Sequence, residues 1–249
     1  MAFGGYQALY IGLDVALKTR YKGETKKMKI KAVFWDSDNT LVNTNALHWG
    51  KHVQTLKKYG ITLDDSHRER IYHNNGKQNW QWLNAEIGLD VTCDDYLDEL
   101  DTWYKTHTPE IEIREGILEA LDIFKNAGIP QAVVSNGRRN SVMMALEAKN
   151  LASYFKFIAT KEDSCERKPH PGPYLDALNK LNTQNSLSLK ASECLAIEDD
   201  PKGVISADTA GMITIHRKLS AKQKPSPHAK HHAYTKEEFL EKISIVLRS

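Results

Sequence analysis

The chain of 249 residues carries 34 Lys and Arg against 32 Asp and Glu, a formal charge of +2, with 41% hydrophobic and 27% charged residues. That length gives one large domain or a core with an insert, and the composition excludes general disorder. The near balance of charge excludes a global field that would draw nucleic acid, and no run of about 18 apolar residues is available to span a membrane.

Residues 1–27 read as an N-terminal extension, with Gly4, Gly5, Gly12 and Gly23 around a short amphipathic stretch from Tyr10 to Lys18. The apolar segment from Ala8 to Leu17 is broken by Asp14 and lacks a basic leader, so no secretion signal is read. Met28 stands immediately before the first strand and marks the expected start of the folded core. The basic run from Arg20 to Lys31 has little aromatic interleaving and is expected to be a solvated approach to that strand. Cys93, Cys165 and Cys194 form no CxxC pair and have no His at ligand spacing. Zinc and a disulfide framework are therefore not expected, and the sparse cysteine usage points to a reducing, cytoplasmic location.

From Lys29 onward short apolar runs alternate with helical patterns, the signature of an α/β fold with a parallel sheet flanked by helices. The runs are Ile30 to Trp35, Pro130 to Val134, Phe155 to Ala159, Cys194 to Ile197 and Met212 to Ile215, so five core strands are predicted. Helices are predicted from Ile117 to Asn126 closed by Gly128, Arg138 to Lys149 closed by Asn150, Pro171 to Leu181, and Pro201 to Ala210 closed by Gly211. A last helix starts at Thr235, with Glu238 completing a capping box. His228, His231 and His232 lie near Pro225 and Pro227 without an acidic neighbour in sequence, and are read as a polar loop or edge rather than a metal site.

One interval breaks the alternation. About 95 residues separate the first run from the second, and the stretch 43–112 shows only helical spacing, as in Leu56, Tyr59, Trp80, Leu83, Ile87, Leu97, Leu100 and Tyr104. Strand-to-helix connections are usually about two to six residues, so this insert is expected to be an all-helical cap over a site, with the core formed by 28–42 and 113–249. Trp80, Trp82 and Trp103 are expected in the cap core.

Ligands of open parallel sheets bind beyond the carboxyl ends of the strands, and those ends are polar here. Asp36-Ser37-Asp38-Asn39-Thr40 follows the first run, Ser135-Asn136-Gly137 the second, and Glu198-Asp199-Asp200 the fourth, while Lys168-Pro169-His170-Pro171 precedes a helix. Several carboxylates converging with one lysine repel each other unless a cation neutralises them, and oxygen ligation without Cys or His is the preference of Mg2+.

These four segments resemble the ordered motifs of the haloacid dehalogenase superfamily: DxDxT at Asp36 to Thr40, Ser135, Lys168 with its prolines, and Glu198-Asp199 followed by Gly203. The branch most resembled is the phosphoglycolate phosphatase and beta-phosphoglucomutase group, with a Rossmann-like core and a helical cap. The resemblance implies a magnesium-dependent phosphatase acting on a small phosphorylated metabolite, without nucleic-acid or membrane partners. Asp36 would be the nucleophile forming an aspartyl-phosphate. Asp38 would be the acid and base, with burial and a neighbouring anion expected to raise its pKa. Lys168 and Ser135 would complete the catalytic set, and Asp36, Asp38 (through its carbonyl), Asp199 and Glu198 or Asp200 would hold the metal. Thr40, Asn136, His48, Asn75, Gly76 and Lys77 would contact substrate.

Two departures stand out. Asn39 replaces the glycine usual after the second aspartate, though Asn tolerates left-handed geometry, and Asp200 replaces the usual serine. The arginine that anchors a sugar phosphate in the mutases has no clear counterpart, with Asn79 nearby, which lowers the mutase alternative. A phosphonate hydrolase would need an imine-forming cap lysine, and Lys51, Lys57, Lys58 and Lys77 are available without any being singled out. A catalytically silent binding protein on the same scaffold is the third class.

Overall fold

The computed structural model describes residues 30–248. The predicted extension at 1–27 and the start at Met28 lie outside the described residues. Among the described residues six strands form one parallel sheet: β1 (Ala32–Trp35), β4 (Gln131–Val134), β5 (Ile158–Ala159), β6 (Cys194–Glu198), β7 (Ile213–Arg217) and β8 (His231–Ala233), in the order β5-β4-β1-β6-β7-β8. The order reverses at β1, so the carboxyl ends of β4, β1 and β6 lie side by side at the switch point, where open α/β sheets place their ligands.

Both faces of the sheet are covered, which is why its strands read as continuous apolar runs rather than alternating ones. Val33, Trp35, Val133, Leu195, Ile197 and Ile215 point to one face. There they meet α5 (Ile117–Asn126), α6 (Arg139–Ala148) and α9 (Lys236–Arg248). Ala32, Phe34, Ala132, Val134, Cys194 and Ala196 point to the other, against α7 (Gly172–Asn185) and α8 (Pro201–Thr209). Trp35 is the centre of the first layer, edge-on to Phe124 and Phe239. Its indole N–H donates to Gln131 Oε1 at 3.0 Å, and Gln131 Nε2 donates to the Leu121 carbonyl at 3.0 Å, so the buried amide is satisfied on both ends.

The chain leaves the core through β2 (Val42–Asn43) and returns through β3 (Glu112–Ile113), which pair antiparallel as a two-stranded ribbon. Between them stand α1 (Asn45–Lys57), α2 (Arg68–His73), α3 (Gly76–Trp82), a short π turn at Leu83–Ile87 and α4 (Cys93–His107). They pack around their own cluster of Leu56, Leu63, Ile71, Trp82, Leu83, Leu89, Tyr96 and Leu100. Trp82 and the half-buried Trp80 belong to that cluster. Trp103 instead packs on the main core and stacks on His107.

The punctuation read from sequence has its physical basis in the backbone: Gly128, Asn150 and Gly211 adopt φ of +69°, +57° and +86°. Thr235 Oγ1 accepts from Glu238 N at 3.2 Å, and Glu238 accepts from Tyr234 N and Thr235 N, which is the expected capping box. Three expectations need correction. Helix α7 runs past Leu181 to Asn185 and closes on Ser186 at φ +51°, because Asn182 and Asn185 make side-chain bonds to backbone carbonyls that extend the last turn. The His231–Ala233 segment is a sixth strand, too short and polar to register as an apolar run yet paired in register with Ile215, His216 and Arg217. His228 does have an acidic neighbour, Asp208, at 2.8 Å across the fold. No helix among the described residues is long and apolar enough to cross a membrane.

Candidate active site

The loop leaving β1 is fixed at both ends. Asp36 N donates to the Ile197 carbonyl at 3.0 Å, and Leu41 N closes a turn on the Ser37 carbonyl at 2.9 Å. Asn39 takes φ +58°, the geometry that glycine would otherwise supply, and its side chain has a second use. Asn39 Oδ1 accepts from Thr44 N and Asn45 N, each at 3.2 Å, and so caps α1. That frees the Thr44 hydroxyl, at the helix N-cap position, to donate to Asp38 Oδ1 at 2.7 Å.

Lys168, 7% exposed, places its Nζ 2.8 Å from Asp36 Oδ1, 2.6 Å from Glu198 Oε1 and 2.6 Å from the Val134 carbonyl, so each of its three donors has an acceptor. Burial alone would lower its pKa, but the two carboxylates outweigh it and hold the ammonium firmly charged. Asn136 locks the Lys168 backbone, donating to its carbonyl at 3.2 Å and accepting from its N–H at 3.1 Å. Ser135, buried at the end of β4, accepts from Gly137 N at 2.9 Å. A methyl group on Gly137 would stand 2.8 Å from Val142 Cγ2 in α6, 3.1 Å from Ser135 Oγ and 3.2 Å from Asp38 Oδ2, so this glycine makes room for α6 and for the close approach of the two strand ends.

Carboxylate oxygens of Asp36, Glu198 and Asp199 lie within 4.8 Å of one another. Thr40 Oγ1 donates to Asp199 Oδ1 at 3.0 Å, and the Asp199 carbonyl accepts from His216 Nε2 at 2.9 Å and Gln223 Nε2 at 3.0 Å. Burial raises Asp36, Glu198 and Asp199 above their ordinary pKa. Glu198 reaches about 8, helped by Asp36, and Asp199 is also pushed up beside Asp36 and Glu198. One lysine does not neutralise this group, and its all-oxygen donors fit a hard divalent cation. The Asp38 side chain stands apart from the trio. Asp200 is exposed and spends its carboxylate accepting from Lys202 N at 2.8 Å as the N-cap of α8.

On the cap side, Asp38 Oδ1 also meets His48 Nε2 at 3.0 Å, and the His48 ring stacks on Tyr104. Burial would raise the Asp38 carboxyl, as the sequence reading expected, but His48, Thr44 and Lys51 together reverse the shift and bring it down to about 2. Asn75, Gly76 and Lys77 serve α3 rather than this cluster. Asn75 and Gln78 form a reciprocal capping box, a methyl group on Gly76 would stand 2.6 Å from Leu97, and Lys77 is exposed. Asn79, the residue nearest the missing arginine in sequence, is buried between the Ile71 carbonyl and Trp82.

Sequence reasoning missed two participants and the physical reason for a third. The buried Tyr174 hydroxyl donates to Glu198 Oε1, and nothing local marks this tyrosine apart from its place in the helix after Lys168. Gly203 was legible as a motif residue without its reason: a methyl group there would overlap the Glu198 carboxylate. Thr44 stands at the N-cap of α1, and only the fold shows its hydroxyl diverted to Asp38.

Comparison with known proteins agrees with this geometry. Residues 33–216 match the profile described as haloacid dehalogenase-like hydrolase. The pyrophosphatase PpaX of Bacillus pumilus is 29% identical over 186 residues, covering 74% of this chain and 82% of that protein. Its namesake from Oceanobacillus iheyensis is 26% identical over 228 residues, covering 88% and 98%. CbbY from Rhodobacter sphaeroides, solved in complex with phosphate, superposes with a TM-score of 0.73 at 22% identity, covering 84% of this chain and 96% of its own. Beta-phosphoglucomutase from Clostridium difficile gives 0.68 at 18% identity, covering 88% and 100%. A profile that spans most of the chain, on a parallel sheet whose switch point gathers Asp36, Ser135, Lys168 and Glu198, makes this protein a member of the haloacid dehalogenase-like hydrolase family.

Proposed function

We propose that the protein is a magnesium-dependent phosphatase that hydrolyses a small phosphorylated metabolite through an aspartyl-phosphate on Asp36. The observation that carries this reading is the convergence of Asp36, Lys168, Glu198 and Asp199 at one switch point, with Asp38 two residues from the nucleophile. A phosphomonoester is a dianion that repels an attacking carboxylate, so positive charge has to be in place first. Lys168 supplies one such charge. Asp36, Glu198 and Asp199 would hold Mg2+, with the Asp38 carbonyl as a further oxygen, and the bound ion would offset charge on the phosphoryl oxygens.

An Asp36 oxygen bonds to phosphorus as the ester oxygen leaves, and that oxygen takes a proton from Asp38. In the second displacement water attacks the same phosphorus, Asp38 takes the water's proton, and Asp36 is released with inorganic phosphate. Asp38 thus moves one proton out and one back, work worth about 10²–10⁴-fold. The hydrogen bonds from Thr44 and His48 favour the ionised half of that cycle. Ser135 and the Asn136 backbone would bind phosphoryl oxygens, Thr40 would order the loop through its bond to Asp199, and the Asn136 side chain keeps Lys168 in position.

A screen of phosphorylated metabolites with free-phosphate detection tests the reading. Asp36→Asn should lower turnover by at least about 10³-fold, and so should chelation of magnesium. Retained turnover in Asp36→Asn would remove the covalent route, and an isomer formed without free phosphate would reassign the enzyme to phosphoryl transfer between hydroxyls.

A further inference from the structure

Strands β7 and β8 are parallel neighbours, and a parallel pair is ordinarily joined by a crossover that carries a helix. Here residues 218–230 make the connection with no helix, and apart from the buried Ser226 and the half-buried Lys218, Gln223 and Ala229 they are exposed. Loops of that length without secondary structure of their own are uncommon and usually serve a site. Both ends of this one are pinned. Arg114 donates to the Arg217 and Lys218 carbonyls at its start. At its close Thr214 Oγ1 donates to the His228 carbonyl at 3.1 Å and accepts from Lys230 N at 3.0 Å, while the His228 ring meets Asp208 on α8.

The loop reaches inward to the main chain of Asp199. Gln223 Nε2 donates to the Asp199 carbonyl at 3.0 Å, and so does His216 Nε2, from β7, at 2.9 Å. Ser226 N donates to His216 Nδ1 at 3.0 Å, which leaves the ring proton on Nε2 and makes that nitrogen a donor. Both nitrogens of this fully buried ring are thus spent on the link. The Asp199 oxygen accepts two side-chain donors, which uses both of its lone pairs.

The acidic trio explains the need for so firm a hold. Lys168 pairs with Asp36 and Glu198, whereas among the described residues Asp199 forms no ion pair and its carboxylate has only Thr40 as a side-chain donor. Of three carboxylates within 4.8 Å of one another, Asp199 is therefore the one that repulsion can push outward. It is also the single residue between the end of β6 at Glu198 and the α8 N-cap at Asp200. Because the peptide is planar, holding the Asp199 carbonyl fixes the ψ of this joint and with it the direction of the side chain.

Building on the phosphatase reading, in which Asp199 holds the cation, we propose that His216 and Gln223 are positioning residues: by anchoring the Asp199 peptide they keep its carboxylate beside those of Asp36 and Glu198. Neither side chain is a ligand, and each acts through Asp199. Ligands gathered in advance cost less to order when the ion arrives, so the anchor shows itself as metal affinity.

Manganese, which takes the same oxygen donors, tests this on the full chain without substrate, the bound ion being read from loss of the free-ion EPR signal. Asp199→Asn sets the floor. Gln223→Leu, at a half-buried loop position, should weaken manganese binding by about tenfold, and His216→Phe by about tenfold or more. His216→Gln, whose amide nitrogen can donate from near the place of Nε2, should stay within about threefold of wild type. Denaturant unfolding in chelator separates packing from positioning, because a loss of stability alone leaves the affinity of the folded variant unchanged. Should His216→Phe fail to fold, Gln223→Leu decides. Affinity within about twofold of wild type in folded Gln223→Leu, or a loss of about tenfold in His216→Gln, would overturn the proposal. So would a wild type that binds no manganese, or whose binding Asp199→Asn leaves unchanged. A protein that binds manganese in the expected pattern yet hydrolyses no phosphoester would keep the positioning role and remove only the phosphatase reading. A magnesium-dependent phosphatase whose metal affinity ignores Gln223 would remove only the positioning role.

Discussion

The two walls of the cleft are built on different principles. The sheet wall is closed and satisfied: Glu198 is 1% exposed, Asp199 5% and Lys168 7%, and each is held by side-chain or backbone bonds from separate strand ends. The cap wall is open and under-satisfied. Lys51 has no acceptor among the described residues, and the Arg138–Asp101 pair that joins cap to core is partly exposed on both sides. Bond making at phosphorus needs charges fixed in advance, because reorganising them during reaction costs rate. Recognition of the remainder of a ligand tolerates side chains that settle only when the ligand arrives. Under the proposed function, the difference would leave bond making to the sheet wall and contact with the rest of the ligand to the cap wall.

The strongest challenge to that division falls on Gly203. In Gly203→Ala the new methyl group would overlap the Glu198 carboxylate and displace it. Magnesium affinity should fall by about 10–100-fold and stability by about 1–3 kcal/mol, read by magnesium titration and by denaturant unfolding. Unchanged magnesium binding would mean that the sheet wall tolerates a shift it is argued not to tolerate.

A smaller effect sharpens the cap side. Burial pushes the Lys51 ammonium down to about 8, with Asp101 and Asp38 resisting the shift and Arg138 and Lys161 adding to it. An amine is charged below its pKa, so the Lys51 ammonium should be largely charged near pH 7, half neutral near pH 8 and neutral by about pH 9.5. Reductive 13C-methylation of the lysines followed by NMR titration checks this, and a Lys51 signal still charged at pH 10 would mean that Asp101 and Asp38 outweigh burial.

The smallest effect is a control on the cap as a scaffold. Thr92 caps α4, accepting from Asp95 N at 3.1 Å and donating to Asp95 Oδ2 at 2.7 Å. Thr92→Ala should cost about 1 kcal/mol in unfolding free energy and leave kcat within about twofold of wild type. A larger loss of kcat would show that cap stability reaches the reacting atoms.

The same division explains what the sequence could reveal. Strand runs such as Ala32 to Trp35 are visible because a doubly covered parallel strand has to be apolar throughout, and the polar residues that follow each run stand out against it. Asp36, Ser135, Lys168 and Glu198 are legible for that reason, since each is held by an element whose position the apolar pattern fixes. Cap side chains have no such frame. Asn75, Gly76 and Lys77 entered through the resemblance to the family's glycine-bearing substrate loop, and in the fold the same residues start α3 with a capping box. The charge state of Asp38 was misread because its neighbours in sequence are acidic, while the groups that control it, His48 and Lys51, come from one face of α1. Short polar β8 was hidden for a related reason: an edge strand is defined by its partner β7 more than by its own composition.

The ribbon of Val42–Asn43 with Glu112–Ile113 is where the polypeptide passes between the two walls, and the residue after it, Arg114, is buried. Its guanidinium clamps three carbonyls, at 2.6 Å on Asn39, 3.0 Å on Arg217 and 2.8 Å on Lys218. Any swing of the helices has to be absorbed in a crossing four residues across, one strut of which grips the peptide next to Asp38 while Asn39 itself holds the end of α1. Under the proposed mechanism, entry of a ligand and the aim of Asp38 would be worked by one lever: a gate left ajar would also be a misaligned acid.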